Sequence, residues 1–235
     1  MRAASRTHLG NVRASNQDAL IVVPGKYGLY GVADGMGGHK AGDVASQMAV
    51  RVLSQELEKK KPSEALLRSG IEKANLMIYE EQKRNPDFSG MGTTLTVIWE
   101  DRDRVLLGHV GDSRAYRLRG KEIEQVSLDH SMVAEMVRDG VITAEEALRH
   151  PYRNIITRAL GAEDTVNVDI LEMERQPGDV FLICSDGLSE YVRDREMRDV
   201  LLHLSLEDAA DELLRRALEG GGRDNVSLVI AEVTA

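Results

Sequence analysis

Apolar positions along this chain recur with two different periods, and the period changes several times between the ends. Residues 18–23 and 28–33 are short apolar runs bounded by turn residues, which predicts two strands. A helix follows, in which Val44, Met48 and Val52 lie beside Ala45, Ala49 and Leu53 at helical spacing. A second helix starts after Pro62-Ser63 and places Leu67, Ile71, Ala74 and Ile78 on one stripe. Two such helices can pack on each other or jointly cover a sheet.

Beyond residue 90 the pattern returns to strands. Leu95, Val97 and Trp99 alternate with Thr96 and Ile98, and residues 105–110 and 115–118 form further apolar runs joined by turns, predicting an antiparallel meander. The stretch 130–160 interrupts this series with short-helix material: Asp139-Gly140 is a turn pair, Thr143 an N-cap and Pro151 a breaker, so a surface flap is expected. Strands resume at Val166, Val168 and Ile170 and at 180–184. A helix opened by Ser205 with Asp208 in its first turn precedes a closing strand over 226–233. Strands and helices come in blocks, which favours sheets layered with helices, an α+β architecture, over a strictly alternating parallel fold. Neither a repeat nor a Pro/Ser-rich linker divides the 235 residues, so one domain over 1–235 is expected.

Composition narrows the partners. A formal net charge of −9, with Lys59-Lys60-Lys61 the longest basic run, argues against nucleic acid or an anionic membrane surface. No apolar stretch approaches the ~20 residues that span a bilayer, and the first residues lack a signal-peptide pattern, so a cytoplasmic protein is expected. Cys184, the single cysteine, has no partner for an internal disulfide, in keeping with a reducing compartment.

Aspartates at strand ends carry the candidate chemistry. Asp18 precedes the run 19–23, Asp34 follows 29–33, Asp112 follows 105–110, Asp186 follows 180–184, and Asp224 precedes the last strand. Taken singly, Asp34-Gly35, Gly111-Asp112, Asp186-Gly187 and Asp224-Asn225 are ordinary turn dipeptides. Taken together, converging strand ends would gather several carboxylates at one edge, a costly arrangement unless cations neutralise it. Oxygen-only coordination suits Mg²⁺, Mn²⁺ or Ca²⁺, whereas the six histidines are scattered and offer no zinc pair. Gly35, with no side chain in the way, lets its backbone carbonyl approach an ion.

Eight segments share a further property. Residues 13–18 (Arg-Ala-Ser-Asn-Gln-Asp), 32–39 (Val-Ala-Asp-Gly-Met-Gly-Gly-His), Gly92-Thr93-Thr94, 111–116 (Gly-Asp-Ser-Arg-Ala-Tyr), Asp129-His130-Ser131, 154–161, 184–188 (Cys-Ser-Asp-Gly-Leu) and Gly222-Arg223-Asp224-Asn225 occur in the order found in one family. By them the chain resembles, nearly end to end, the metal-dependent serine/threonine protein phosphatases of the PPM/PP2C type, and in particular their compact bacterial members.

This resemblance implies a four-layer α-β-β-α sandwich: two central antiparallel sheets flanked by helices, with the flap at about 130–160. It implies that Asp34 bridges two Mg²⁺ or Mn²⁺ ions, that Asp186 and Asp224 complete one of them, and that Asp18 and the Gly35 carbonyl serve the other. Asp112, with Asp186, would hold a third. Arg13 would grip the substrate phosphate, a task suited to a planar, permanently charged fork; the alternative for it is a surface ion pair. The implied activity is hydrolysis of phosphoserine and phosphothreonine by a metal-activated water, without a phosphoenzyme. The leaving alkoxide needs a proton, for which His39 is the nearest candidate, although eukaryotic relatives carry a histidine where this chain has Met36. Phosphorylated proteins and an opposing serine/threonine kinase are the implied partners, and a monomer is expected. Arg153 and Arg158 in the flap are either phosphopeptide contacts or partners of nearby acids.

Rival chemistries fail on the sequence. A cysteine phosphatase loop would need arginine six residues after Cys184, where Glu190 stands. Gly35-Met36-Gly37-Gly38 opens like a dinucleotide loop, but Lys40 occupies the third glycine position. A catalytically weak binding module is the alternative from another class. The presence of Asp18, Asp34, Asp186 and Asp224 together counts against it, since a carboxylate cluster without its chemistry has little structural benefit.

Overall fold

A computed structural model of the chain describes residues 1–37 and 41–234. The elements in order are β1 (Arg2–His8), β2 (Asp18–Val23), β3 (Leu29–Met36), α1 (Ala41–Leu57), α2 (Glu64–Arg84), β4 (Gly92–Thr93), β5 (Leu95–Glu100), β6 (Arg104–Val110), β7 (Arg114–Arg119) and β8 (Glu122–Gln125). They continue with α3 (Met132–Arg138), α4 (Ala144–Ala147), β9 (Asp169–Glu174), β10 (Val180–Cys184), α5 (Asp186–Ser189), α6 (Asp194–His203), α7 (Leu206–Gly220) and β11 (Val226–Glu232).

The strands form two antiparallel sheets. One runs β1-β11-β10-β7-β8; the other runs β2-β3-β5-β6-β9, with β4 paired to β3. Period-two alternation sorts their side chains between layers. In β5, Leu95, Val97 and Trp99 pack under Leu53, Leu67, Ile71 and Ile78 of α1 and α2. Ile98 points the other way, joining Tyr30, Val32, Phe181, Ile183 and Val229 between the sheets. In β10 and β11 the second set, Leu182, Leu228 and Ile230, meets Met197, Val200 and Leu213 of α6 and α7. These three apolar layers make the α-β-β-α order, and because each sheet is buried on both faces, its strands read as continuous apolar runs.

Local signals account for the helix starts. Ser63 caps α2 by accepting from the Leu66 N–H, and Ser205 caps α7 by accepting from the Asp208 N–H. Thr143 and Glu146 form a reciprocal capping box on α4, inside the predicted flap. Two expectations shift. The strand expected at 166–170 is β9, three residues later, because the Val168 carbonyl is taken by Arg68 Nη1 at 2.8 Å instead of by a ladder. Strand β1 has no counterpart in the apolar pattern, since Ala4 is its single buried residue.

Candidate metal centre

Both sheets contribute acids to the same end of the sandwich. Asp18 opens β2 and lies directly opposite Asp34 on β3 in the antiparallel register. Asp112 sits in the turn from β6 to β7, Asp186 begins α5 immediately after β10, and Asp224 lies just before β11. The charges act on one another. Asp34 is held well above the usual carboxylate range by desolvation, then by the negative charges of Asp18, Asp186, Asp112 and Asp224. Desolvation, then Asp112 and Asp224, pushes Asp186 up to about 8. Asp18 rises to about 6 through desolvation against hydroxyl hydrogen bonds, and Asp112 to about 6 through desolvation and Asp129. Four of the five acids named from the sequence are therefore drawn into mutual repulsion, and Asp224 contributes to it.

Asp34, Asp18 and Asp224 are held by neighbours that the sequence did not single out for this task. The Asp34 N–H donates to Thr94 Oγ1 at 2.9 Å, and its carbonyl accepts from Thr94 N and Thr93 Oγ1, each at 2.9 Å. Thr94 Oγ1 also shares a 2.8 Å bond with Ser113 Oγ, tying Asp34 to the turn that carries Asp112. Ser185 Oγ donates to Asp18 Oδ2 at 3.0 Å. Asn225 fastens the 9–17 loop: its Nδ2 donates to the carbonyls of Leu9 and Ser15 at 3.0 Å, and its Oδ1 accepts from the Gln17 N–H at 2.8 Å. That loop carries Arg13, whose Nη2 donates to Asp224 Oδ2 at 2.6 Å. The signals for these supports were present as Thr-Thr, Ser-Asp-Gly and Asp-Asn, but nothing in a linear sequence says that they face one another.

Close backbone approach explains two glycines. A Cβ on Gly35 would lie 2.2 Å from the Gly42 carbonyl oxygen and 2.4 Å from that of Gln17. Gly10, at φ +80°, would put a Cβ 2.1 Å from the Asp224 carbonyl oxygen, so the 9–17 loop can close on the Asp224 loop only without a side chain there.

No group of three or more His, Cys, Asp or Glu side chains able to hold a metal ion as it stands forms among the described residues. The donor chemistry nevertheless fits a hard divalent cation. Asp18 Oδ1 and Asp186 Oδ1 are buried acceptors without a hydrogen-bond partner, and burial, followed by neighbouring acids, raises Asp186, so a bound cation would relieve the cost of ionising it. His39, the proton-donor candidate, lies outside the described residues. Arg158 pairs with Asp169 at 2.9 Å, whereas Arg153 reaches Glu190 only at 3.6 Å. Cys184 is buried and its thiol is pushed up to about 12 by burial, which agrees with a core residue and not a nucleophile.

Strand-terminal aspartates gathered at one end of the sandwich are a donor set of the kind that metal-assisted hydrolysis uses. The family model for protein phosphatase 2C matches residues 6–225. A serine/threonine phosphatase stp of Listeria welshimeri is 40% identical over 99% of this chain and 96% of its own length. The crystal structure of the Mycobacterium tuberculosis serine/threonine phosphatase PstP/Ppp superposes with a TM-score of 0.93 at 40% identity, covering 100% of this chain and 99% of that one. The catalytic domain of PstP in complex with two manganese ions superposes with a TM-score of 0.90 at 39% identity, covering 100% and 98%. The chain belongs to the protein phosphatase 2C family.

Proposed function

We propose that this chain is a metal-dependent protein serine/threonine phosphatase that releases phosphate from phosphoserine and phosphothreonine side chains of proteins. The observation that carries this is the register pairing of Asp18 with Asp34, joined by Asp186, Asp224 and Asp112 from other strand ends in one repelling cluster. The manganese in the related PstP catalytic domain supports Mn²⁺ or Mg²⁺ as the ions. Asp34, Asp186 and Asp224 would hold one, Asp34, Asp18 and the Gly35 carbonyl a second, and Asp112 with Asp186 a third. When bound, such ions supply a water of lowered pKa and neutralise charge on the phosphoryl group.

The chain's own residues supply the remainder. Arg13, half exposed beside Asp224, keeps most of its guanidinium donors available to a phosphate. Asn225 holds the 9–17 loop so that this arginine stays at the cluster. Thr94 and Ser113 fix Asp34 relative to the Asp112 turn, which preorganises the carboxylates. His39 is proposed to give a proton to the leaving serine or threonine oxygen. The opposing enzyme is a kinase that phosphorylates the same side chains. No helix among the described residues is long and apolar enough to cross a membrane.

The test is phosphate release from a phosphothreonine peptide with Mn²⁺, with Mg²⁺ and with EDTA, for the wild type, Asp34→Ala and Asp186→Ala, alongside Mn²⁺ binding by calorimetry. Metal-dependent turnover in the wild type, with turnover and binding lost in both variants, is expected. A folded wild type that binds Mn²⁺ but releases no phosphate from several phosphopeptides would instead make the protein a binding module.

A further inference from the structure

A cleft of about 330 Å³ leads away from the carboxylate cluster between the flap and the segment that joins α5 to α6. Asp112 and Asp186 line it, so whatever fills it is adjacent to the group being hydrolysed; Leu148 of the flap and Tyr191 line it as well. Its cations differ in how far they are already neutralised. Arg114 is saturated by Asp129 through contacts of 3.1, 3.0 and 2.7 Å. Arg153 has Glu190 at 3.6 Å, a distance at which an exposed pair is weak. Arg193 lines the same cleft, and its guanidinium has no hydrogen bond or ion pair among the described residues.

The backbone of Arg193 is nonetheless fixed. It is the N-cap of α6: its N–H donates to Glu196 Oε2 at 3.0 Å, and its carbonyl accepts from Glu196 N at 2.8 Å and Met197 N at 2.9 Å. A held backbone with an exposed, uncompensated guanidinium is a local positive charge on a chain whose net charge is −9. Leu148, which lines the same cleft, is 54% exposed and offers apolar surface for the stem of a longer side chain.

We propose that this cleft seats an anionic side chain, typified by glutamate, close in sequence to the phosphoresidue, and that Arg193 is the residue that selects it. The proposal rests on the phosphatase reading above: the phosphate lies at the carboxylate cluster, and the flanking carboxylate lies on Arg193, with Arg153 as its second cation. The placement gives substrate selection to the α5–α6 connection as well as to the flap. Arg158 is excluded from the task by its pairing with Asp169.

The experiment uses phosphothreonine peptides with glutamate, alanine or lysine placed one to three residues to either side, and reads kcat/KM and, by fluorescence anisotropy, Kd with the full chain in Mn²⁺. For at least one position the wild type is expected to favour glutamate over lysine about three- to tenfold, the preference shrinking in high salt. Arg193→Glu should level or invert that ratio, whereas Arg195→Glu, a neighbouring charge reversal outside the cleft, should leave it as in the wild type, with circular dichroism confirming that both variants fold. A wild-type ratio near one at every position, or a ratio that survives Arg193→Glu, overturns the proposal. Should no peptide be turned over, the phosphatase reading fails, and the Kd ratios still decide whether Arg193 selects the flank.

Discussion

Asp18 and Asp34 lie directly opposite each other on β2 and β3, two carboxylates in a cross-strand position where like charges work against the sheet. The pairing makes sense if the fold accepts lower stability in order to place two ion ligands side by side. Asp34→Asn should therefore melt higher than the wild type in EDTA, by about 2–4 °C if about 1 kcal/mol of repulsion is relieved. In Mn²⁺ the order should reverse, because ligand binding stabilises only the protein that can bind. Thermal denaturation with and without metal checks this, and a variant that melts lower than the wild type in EDTA would show that the pair is not repulsive.

Thr94 supports the same aspartate from behind. Thr94→Val keeps the shape but removes the hydroxyl that accepts the Asp34 N–H, leaving a backbone donor unpaired at a cost of about 1–3 kcal/mol. The bond to Ser113 is lost with it. The expected outcome is a higher Mn²⁺ concentration for half-maximal activity together with a lower melting temperature. Unchanged Mn²⁺ dependence would mean that Asp34 needs no such support.

Gly10 holds no candidate ligand, yet it decides where one of them sits. Gly10→Ala forces an L side chain into a left-handed conformation, at about 1–2 kcal/mol, and drives its Cβ into the Asp224 carbonyl 2.1 Å away. Loss of more than about 2 kcal/mol in urea denaturation is expected, with reduced turnover because the Arg13 and Asp224 loops no longer close on each other. Wild-type stability and activity would contradict the close approach.

His109, on β6 just before the Asp112 turn, gives the protein an acid-sensitive point that is not itself a candidate ligand. Its Nδ1 meets Thr96 Oγ1 at 2.9 Å, its Nε2 lies 3.0 Å from the Leu128 carbonyl, and desolvation, followed by the charge of neighbouring His130, pushes it down to about 4. The folded state thus favours the neutral ring. Its stabilising effect is complete above the unfolded value near 6.5 and is lost as the pH falls through the folded value near 4. Melting temperatures of the wild type minus those of His109→Gln, measured from pH 7 to pH 4 in EDTA, should fall steadily over that window. A flat difference would show that the ring titrates alike in both states.

How much of this was legible beforehand varies from one element to another. The stripe Leu67, Ile71, Ala74 and Ile78 is fully buried as its spacing implied, and Ser63 and Ser205 cap the helices they were expected to open. Alternation in residues 95–99 did separate two faces, although both proved to be core because a helix layer covers one and a second sheet the other. The edge strand β1 was invisible, since Arg2–His8 joins the sheet through its ladder to β11 and carries almost no apolar signal. Helix α6, with only Met197 and Val200 buried, was similarly faint, and with it Arg193 at its start.

The sequence by itself determined the residue types available for chemistry, the periodic elements and, through ordered motifs, the family. Local propensity and period act over a few residues, so they are written in neighbouring positions. Tertiary structure alone decided that Asp18 faces Asp34, that Thr94 and Ser113 stand behind the pair, that Asn225 clamps a loop more than 200 residues away, and that Arg193 shares a cleft with Asp112 and Asp186. These are contacts between distant segments, fixed by strand register and by which faces pack together, and no short window of residues contains them.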